Sequence, residues 1–183
     1  IGRHFDPGLR GYAILPGADP TPAATFLLAI MSLYLCADVY LKKWLLATHA
    51  SYPILYLPFH GTPGTIQFGD LRKPGNIISL DQLEETLSGK CKGRIVYFSS
   101  CDTLAENGNR LRRFVRRTES LAVCGFRRYV DWLTSTAFDL LFLREAQSNA
   151  FTVAGMRAIS SRVKEEAGGL CKKLGFHMVV NNR

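Results

Sequence analysis

At 183 residues, with 47% hydrophobic and 21% charged side chains, the sequence has the size and balance of one folded domain and excludes a disordered or collagen-like chain. The net charge of +8 points toward an anionic partner, but the excess is concentrated at Arg110, Arg112, Arg113, Arg116 and Arg117, and again at Arg127 and Arg128. That run is read as a solvated helix face without an aromatic-rich binding module, so no nucleic-acid partner is assigned to it.

Five cysteines, at positions 36, 91, 101, 124 and 171, form an odd set with no CxxC spacing. Neither a disulfide framework nor a metal or cofactor site is read from them, and free thiols in a reducing cytoplasm are the expectation. Residues 1–37 are set apart as a fragment or an irregular first strand, before a domain over 38–183. The segment begins with Ile and carries the turn-rich LPGADPTP. The apolar run AATFLLAIMSLYLCA over 23–37 falls short of the ~18–20 residues of a spanning helix and lacks signal-peptide flanks. It is read as a buried core helix or strand, not a membrane segment.

Residues 38–50 predict an amphipathic helix, with Asp38 as N-cap, Val39, Leu41, Trp44, Leu45 and Leu46 on one face and Lys42 and Lys43 opposite. An apolar strand follows in YPILYLPFHG, ending in His60 and Gly61. TIQF and IISL read as two arms of a hairpin turning at LRKPGN. Ser79, three residues before Gln82, is a capping-box signal for a helix ending at Gly89. RIVYFSSC is a second apolar strand that stops in small residues and Cys101. NRLRRFVRRT is a basic amphipathic helix with Leu111, Phe114 and Val115 inward. SLAVCGF is a third strand, and DWLTSTAFDLLFLREAQ a helix of about four turns. Alternating helices and non-alternating apolar strands predict an α/β fold with a mainly parallel sheet covered on both faces, the strands around 54–59, 94–99 and 121–125 being neighbours.

In such a sheet the functional crevice lies beyond the carboxyl ends of the strands. His60 and Cys101 are both expected there. A histidine within reach of a cysteine supplies the base that makes a thiolate. The backbone N–H groups of Gly61 and Cys101 are the expected donors to an oxyanion. His4, His49 and His177 have no comparable context.

The succession LYLPFHG, then TIQFGD…NIISLDQLEETL, then RIVYFSSCDTLA resembles the caspase-like clan of cysteine peptidases, and CHAT domains most closely; separases, gingipains and caspases are similar more distantly. The resemblance covers about residues 38–147 and implies a caspase-hemoglobinase-like three-layer sandwich. It also implies His60 as general base, Cys101 as nucleophile, and peptide-bond cleavage in bacterial defence or regulated proteolysis, with a protein or peptide substrate and a partner protein or regulatory domain. SSCDT stands where caspases have QACRG, so the caspase preference for aspartate at P1 does not carry over with the resemblance. Asp102 and Asp131 are candidate partners of a basic P1 side chain, and Arg127 and Arg128 of an acidic one; the bland alternative for all four is solvated loop or cap charge. The rival function is an inactive caspase-like adaptor, with GFHMVV as an exposed strand open to a partner.

Overall fold

The computed structural model describes residues 37–67 and 76–182. Three strands, β1 (Ile54–Leu57), β5 (Ile95–Phe98) and β6 (Ala122–Phe126), lie side by side and parallel. A last strand, β7 (Phe176–Val180), completes the sheet antiparallel to β6, giving the order β1-β5-β6-β7. The expected neighbours are thus neighbours, in the expected direction. Their side chains alternate between two cores, as the pleat requires. Val96, Phe98 and Val123 join one cluster, with Leu83 and Leu87 of α2 (Leu80–Leu87) and Leu111, Phe114 and Val115 of α3 (Gly108–Thr118). Ile95, Tyr97, Cys124 and Phe126 join the other, with Phe138 and Phe142 of α4 (Trp132–Gln147) and Met156, Ile159 and Val163 of α5 (Val153–Leu174). Helices on both faces explain why the strands read as unbroken apolar runs: water meets neither side.

A second, antiparallel sheet holds β2 (His60–Thr62), β3 (Thr65–Gln67) and β4 (Ile77–Ser79). His60 therefore does not end the first strand. β1 stops at Leu57 before Pro58, and His60 opens β2. The expected hairpin is present as β3 and β4, whereas its LRKPGN turn and the apolar run 23–36 lie outside the described residues.

The caps follow the sequence. The Ser79 hydroxyl accepts from the Gln82 N–H while the Gln82 side chain accepts from the Ser79 N–H, the reciprocal box. Asn107 caps α3, Asp131 caps α4 and Thr152 caps α5. The first helix differs from expectation. α1 spans Ala37–Trp44, so Asp38 lies inside it instead of capping it. Leu46 adopts extended φ and ψ of −64° and 148°, which ends the helical path; it is 53% exposed and not on the buried face, and a short 3-10 turn, Ala47–His49, follows. Arg94 anchors this region. It is buried, donates to the Trp44 carbonyl, and lies 4.4 Å over the Trp44 ring. Among the described residues, no helix is long and apolar enough to cross a membrane.

Candidate active site

Beyond the carboxyl ends of β1 and β5, the loop after Phe98 carries Ser99, Ser100, Cys101, Asp102 and Thr103 and is gripped from three directions. From one side comes the β2–β3 hairpin. Gly64 N–H donates to the Thr103 carbonyl at 3.2 Å, and the Thr103 hydroxyl donates to the Thr65 carbonyl at 3.0 Å. Gly61 is seated so closely that a Cβ there would fall 2.4 Å from the Cys101 carbonyl oxygen and 2.2 Å from Thr103 Oγ1. Glycine at 61 is thus a requirement of the approach between the two segments.

From a second side comes the β6–α4 connection. Asp102 N–H donates to the Arg128 carbonyl at 3.2 Å and Leu104 N–H to the Phe126 carbonyl at 3.1 Å. The Arg127 guanidinium donates to the carbonyls of Leu104 and Glu106. The half-buried Cys101 thiol donates to the Val130 carbonyl and accepts from the Val130 N–H, each at 3.5 Å. Asp102 itself has φ of +53°, a left-handed conformation rare outside glycine and asparagine, next to the candidate nucleophile.

From beneath comes α4. Its Asp139 carboxylate, 3% exposed, accepts from the hydroxyls of Tyr56 at 2.6 Å, Ser99 at 2.5 Å and Tyr97. Burial pushes the Asp139 carboxyl above its ordinary range while the three hydroxyl bonds pull it back. Burial, then the neighbouring carboxylate, push both phenols upward, so they remain donors at any ordinary pH.

His60 is exposed at the start of β2, and among the described residues no hydrogen bond joins its imidazole to Cys101. Cys101 packs with the α4–α5 core, whereas Ile66 of the small sheet packs with the α2–α3 core. The two segments meet at Gly61, so His60 and Cys101 stand at one rim on chains that approach from different layers. Asp102 is half-buried within the loop. Asp131 is exposed and committed to the α4 cap, where the Thr134 hydroxyl and N–H hold its carboxyl below its usual range. Arg127 braces the loop and Arg128 donates to the Lys172 carbonyl, so both are structurally engaged. No group of three or more His, Cys, Asp or Glu side chains among the described residues is arranged to hold a metal ion.

Asp139, Tyr56 and Val130 belong to this arrangement and were not singled out in the sequence. Asp139 had a signal: with Ser135, Phe138 and Phe142 it occupies the inward stripe of α4, and a carboxylate there needs partners.

A model of the family described as Family of unknown function (DUF6642) matches residues 35–180. The chain belongs to this family. The match takes in every element named above from α1 to the end of β7, and with them His60, Cys101 and Asp139. No curated protein matches the sequence.

Proposed function

We propose that the chain is a cysteine endopeptidase of caspase-like architecture, with His60 as base and Cys101 as nucleophile. His60 takes the thiol proton and the sulfur attacks the peptide carbonyl. The N–H groups of Gly61 and Cys101 receive the oxyanion, the imidazolium returns its proton to the departing amine, and water then releases the acyl group from sulfur. The observation that carries this reading is the seat of Gly61 against the Cys101 carbonyl and the Thr103 hydroxyl, which brings the His-Gly segment to the cysteine loop. The mainly parallel sheet, with both segments beyond its carboxyl edge, supports it. Regulated proteolysis, including bacterial defence, is the proposed setting. Asp102 would meet a basic P1 side chain, Asp131 being engaged in the α4 cap.

The test is turnover of a peptide library by the wild-type chain and by Cys101→Ala and His60→Ala. Cleavage that survives either substitution sinks the reading, and a panel varying only P1 settles the charge preference. One observation favours a second reading, an inactive adaptor: the thiol is engaged by the Val130 backbone and not by the imidazole. An adaptor would show no cleavage by the wild type and slow alkylation of Cys101 near neutral pH.

A further inference from the structure

β7 is the outer strand of the main sheet, paired with β6 along one edge and, among the described residues, unpaired along the other. All five of its residues are half-buried, while all five of β6 are buried. A cavity flanks it on each face. One, of about 430 Å³, is lined by Lys164, Lys172 and Cys171 of α5 together with Phe176. The other, of about 240 Å³, is lined by Arg112 and Arg116 of α3 with Val179, Val180 and Asn182. Neither is lined by an aspartate or glutamate.

The arginines of α3 divide by face. Arg110, Arg113 and Arg117 reach Asp81, Glu84 and Glu106. Arg112 and Arg116, on the β7 side, are exposed and have no ion pair among the described residues, and the same holds for Lys164 and Lys172. The one ionisable side chain within β7, His177, is held neutral at pH 7: burial, then Arg127 and Lys164, press its pKa below the ordinary value. Among the described residues the strand is therefore an open ladder with four cations that form no ion pair beside it, two on either face, of which Arg112 donates to the Asn109 side chain at 2.7 Å.

We propose that β7 receives an extended acidic segment of a partner protein as a further strand. Main-chain bonds to the open edge would supply the register, and carboxylates on alternate sides would meet Arg112 and Arg116 on one face and Lys164 and Lys172 on the other. The spacing of Arg112 and Arg116 agrees: residues four apart on a helix are ~6 Å apart along its axis, and residues two apart on a strand are ~7 Å apart; Lys164 and Lys172 are eight apart, across the break at Ala167, and would meet carboxylates farther apart on the other face. A second copy of this chain fits poorly, because pairing two β7 edges would bring four cations from each copy together on a molecule of net charge +8. The sequence of residues 1–36 lacks the acidic pattern: its only carboxylates, Asp6 and Asp19, are matched in number by Arg3 and Arg10. Cations that merely guard an edge against aggregation would bind no such peptide.

The experiment is fluorescence anisotropy of the full chain with a labelled, Glu- and Asp-rich peptide of roughly ten residues in Val and Thr. The controls are its Lys-for-acid counterpart, an N-methylated acidic version that cannot form ladder bonds, and a single-stranded RNA of the same length. The acidic peptide is expected to bind best and to lose roughly ten-fold or more in affinity on N-methylation and in either Arg112→Glu/Arg116→Glu or Lys164→Glu/Lys172→Glu. Equal binding of the acidic and basic peptides, indifference to N-methylation, tighter binding of the RNA, or a dimer in sedimentation that excludes the peptide would each overturn the proposal. The wild-type chain with the four probes decides the matter even if a variant fails to fold.

Discussion

The sulfur of Cys101 is bracketed by the peptide groups of Val130, 3.5 Å from the nitrogen and 3.5 Å from the oxygen. The cysteine loop and the β6–α4 connection are thereby joined through a side chain that any proposed chemistry must release. Both hydrogen bonds tie the sulfur to the β6–α4 connection.

Cysteine reactivity should follow burial. Burial pushes the Cys91 thiol up to about 12 and the Cys124 thiol well above its ordinary value. Among the described cysteines, iodoacetamide near neutral pH should modify Cys101 first, Cys171 more slowly, and Cys91 and Cys124 only on unfolding. Mass spectrometry of timed samples checks the order, and early labelling of Cys124 would contradict the packing of β6.

Gly61→Ala should separate the His-Gly segment from the cysteine loop. The added methyl meets the Cys101 carbonyl, a backbone atom that a rotamer change cannot clear. A stability loss of about 1–3 kcal/mol is expected, with a changed alkylation rate at Cys101. Thermal unfolding with timed labelling reads both effects, and a neutral outcome would show that the approach is looser than described.

Asp139→Ala should be among the most destabilising single changes, because it strands the hydroxyls of Tyr56, Tyr97 and Ser99. The expected cost is about 3 kcal/mol. The pH dependence has a definite sign. Burial raises the Asp139 carboxyl, so the folded chain holds its proton more tightly than the unfolded one. The stability contributed by that proton is complete below the unfolded carboxyl's pKa and is lost as pH rises through the raised folded value. The difference in unfolding free energy between wild type and Asp139→Asn should therefore fall from acid toward neutral pH, and a rising difference in denaturant titrations would refute the assignment.

Arg94→Met should loosen α1 without unfolding the sheet. It removes a donor to the Trp44 carbonyl and the charge over the indole at a cost of about 1–3 kcal/mol. Faster amide exchange in residues 41–46, with unchanged protection in β5, is the expected signature.

The parallel strands were legible because each is a short apolar run bounded by turn residues and carries one type of side chain for both faces. The cap at Ser79 was legible because capping depends on a few adjacent residues, whereas Asp131, read as a candidate substrate contact with cap charge only as the alternative, proved to be the cap of α4. What escaped depended on distance or on mixed signals. His60–Thr62 became a strand through pairing with Thr65–Gln67, and nothing in HGT alternates. α5 was not read from the sequence; it carries Gly168 and Gly169 just after Ala167, whose non-helical φ of −129° breaks the helix, a mixed local signal. Asp139 owes its role to hydroxyls 40 to 83 residues away in sequence, a link that no local pattern encodes. Asp38 looked like a cap because of its residue type, but it lies within the helix.

The reversed direction of β7 has a practical outcome for labelling and fusion. Val180 pairs with Ala122, at the amino end of β6, whereas Cys101 lies past the carboxyl end of the neighbouring strand. Five residues of strand, roughly 17 Å, thus lie between the exit point after β7 and the cysteine loop. A dye or affinity handle placed at Asn182, just past β7, sits at the far rim of the sheet, so protein tethered there should present the cysteine loop outward.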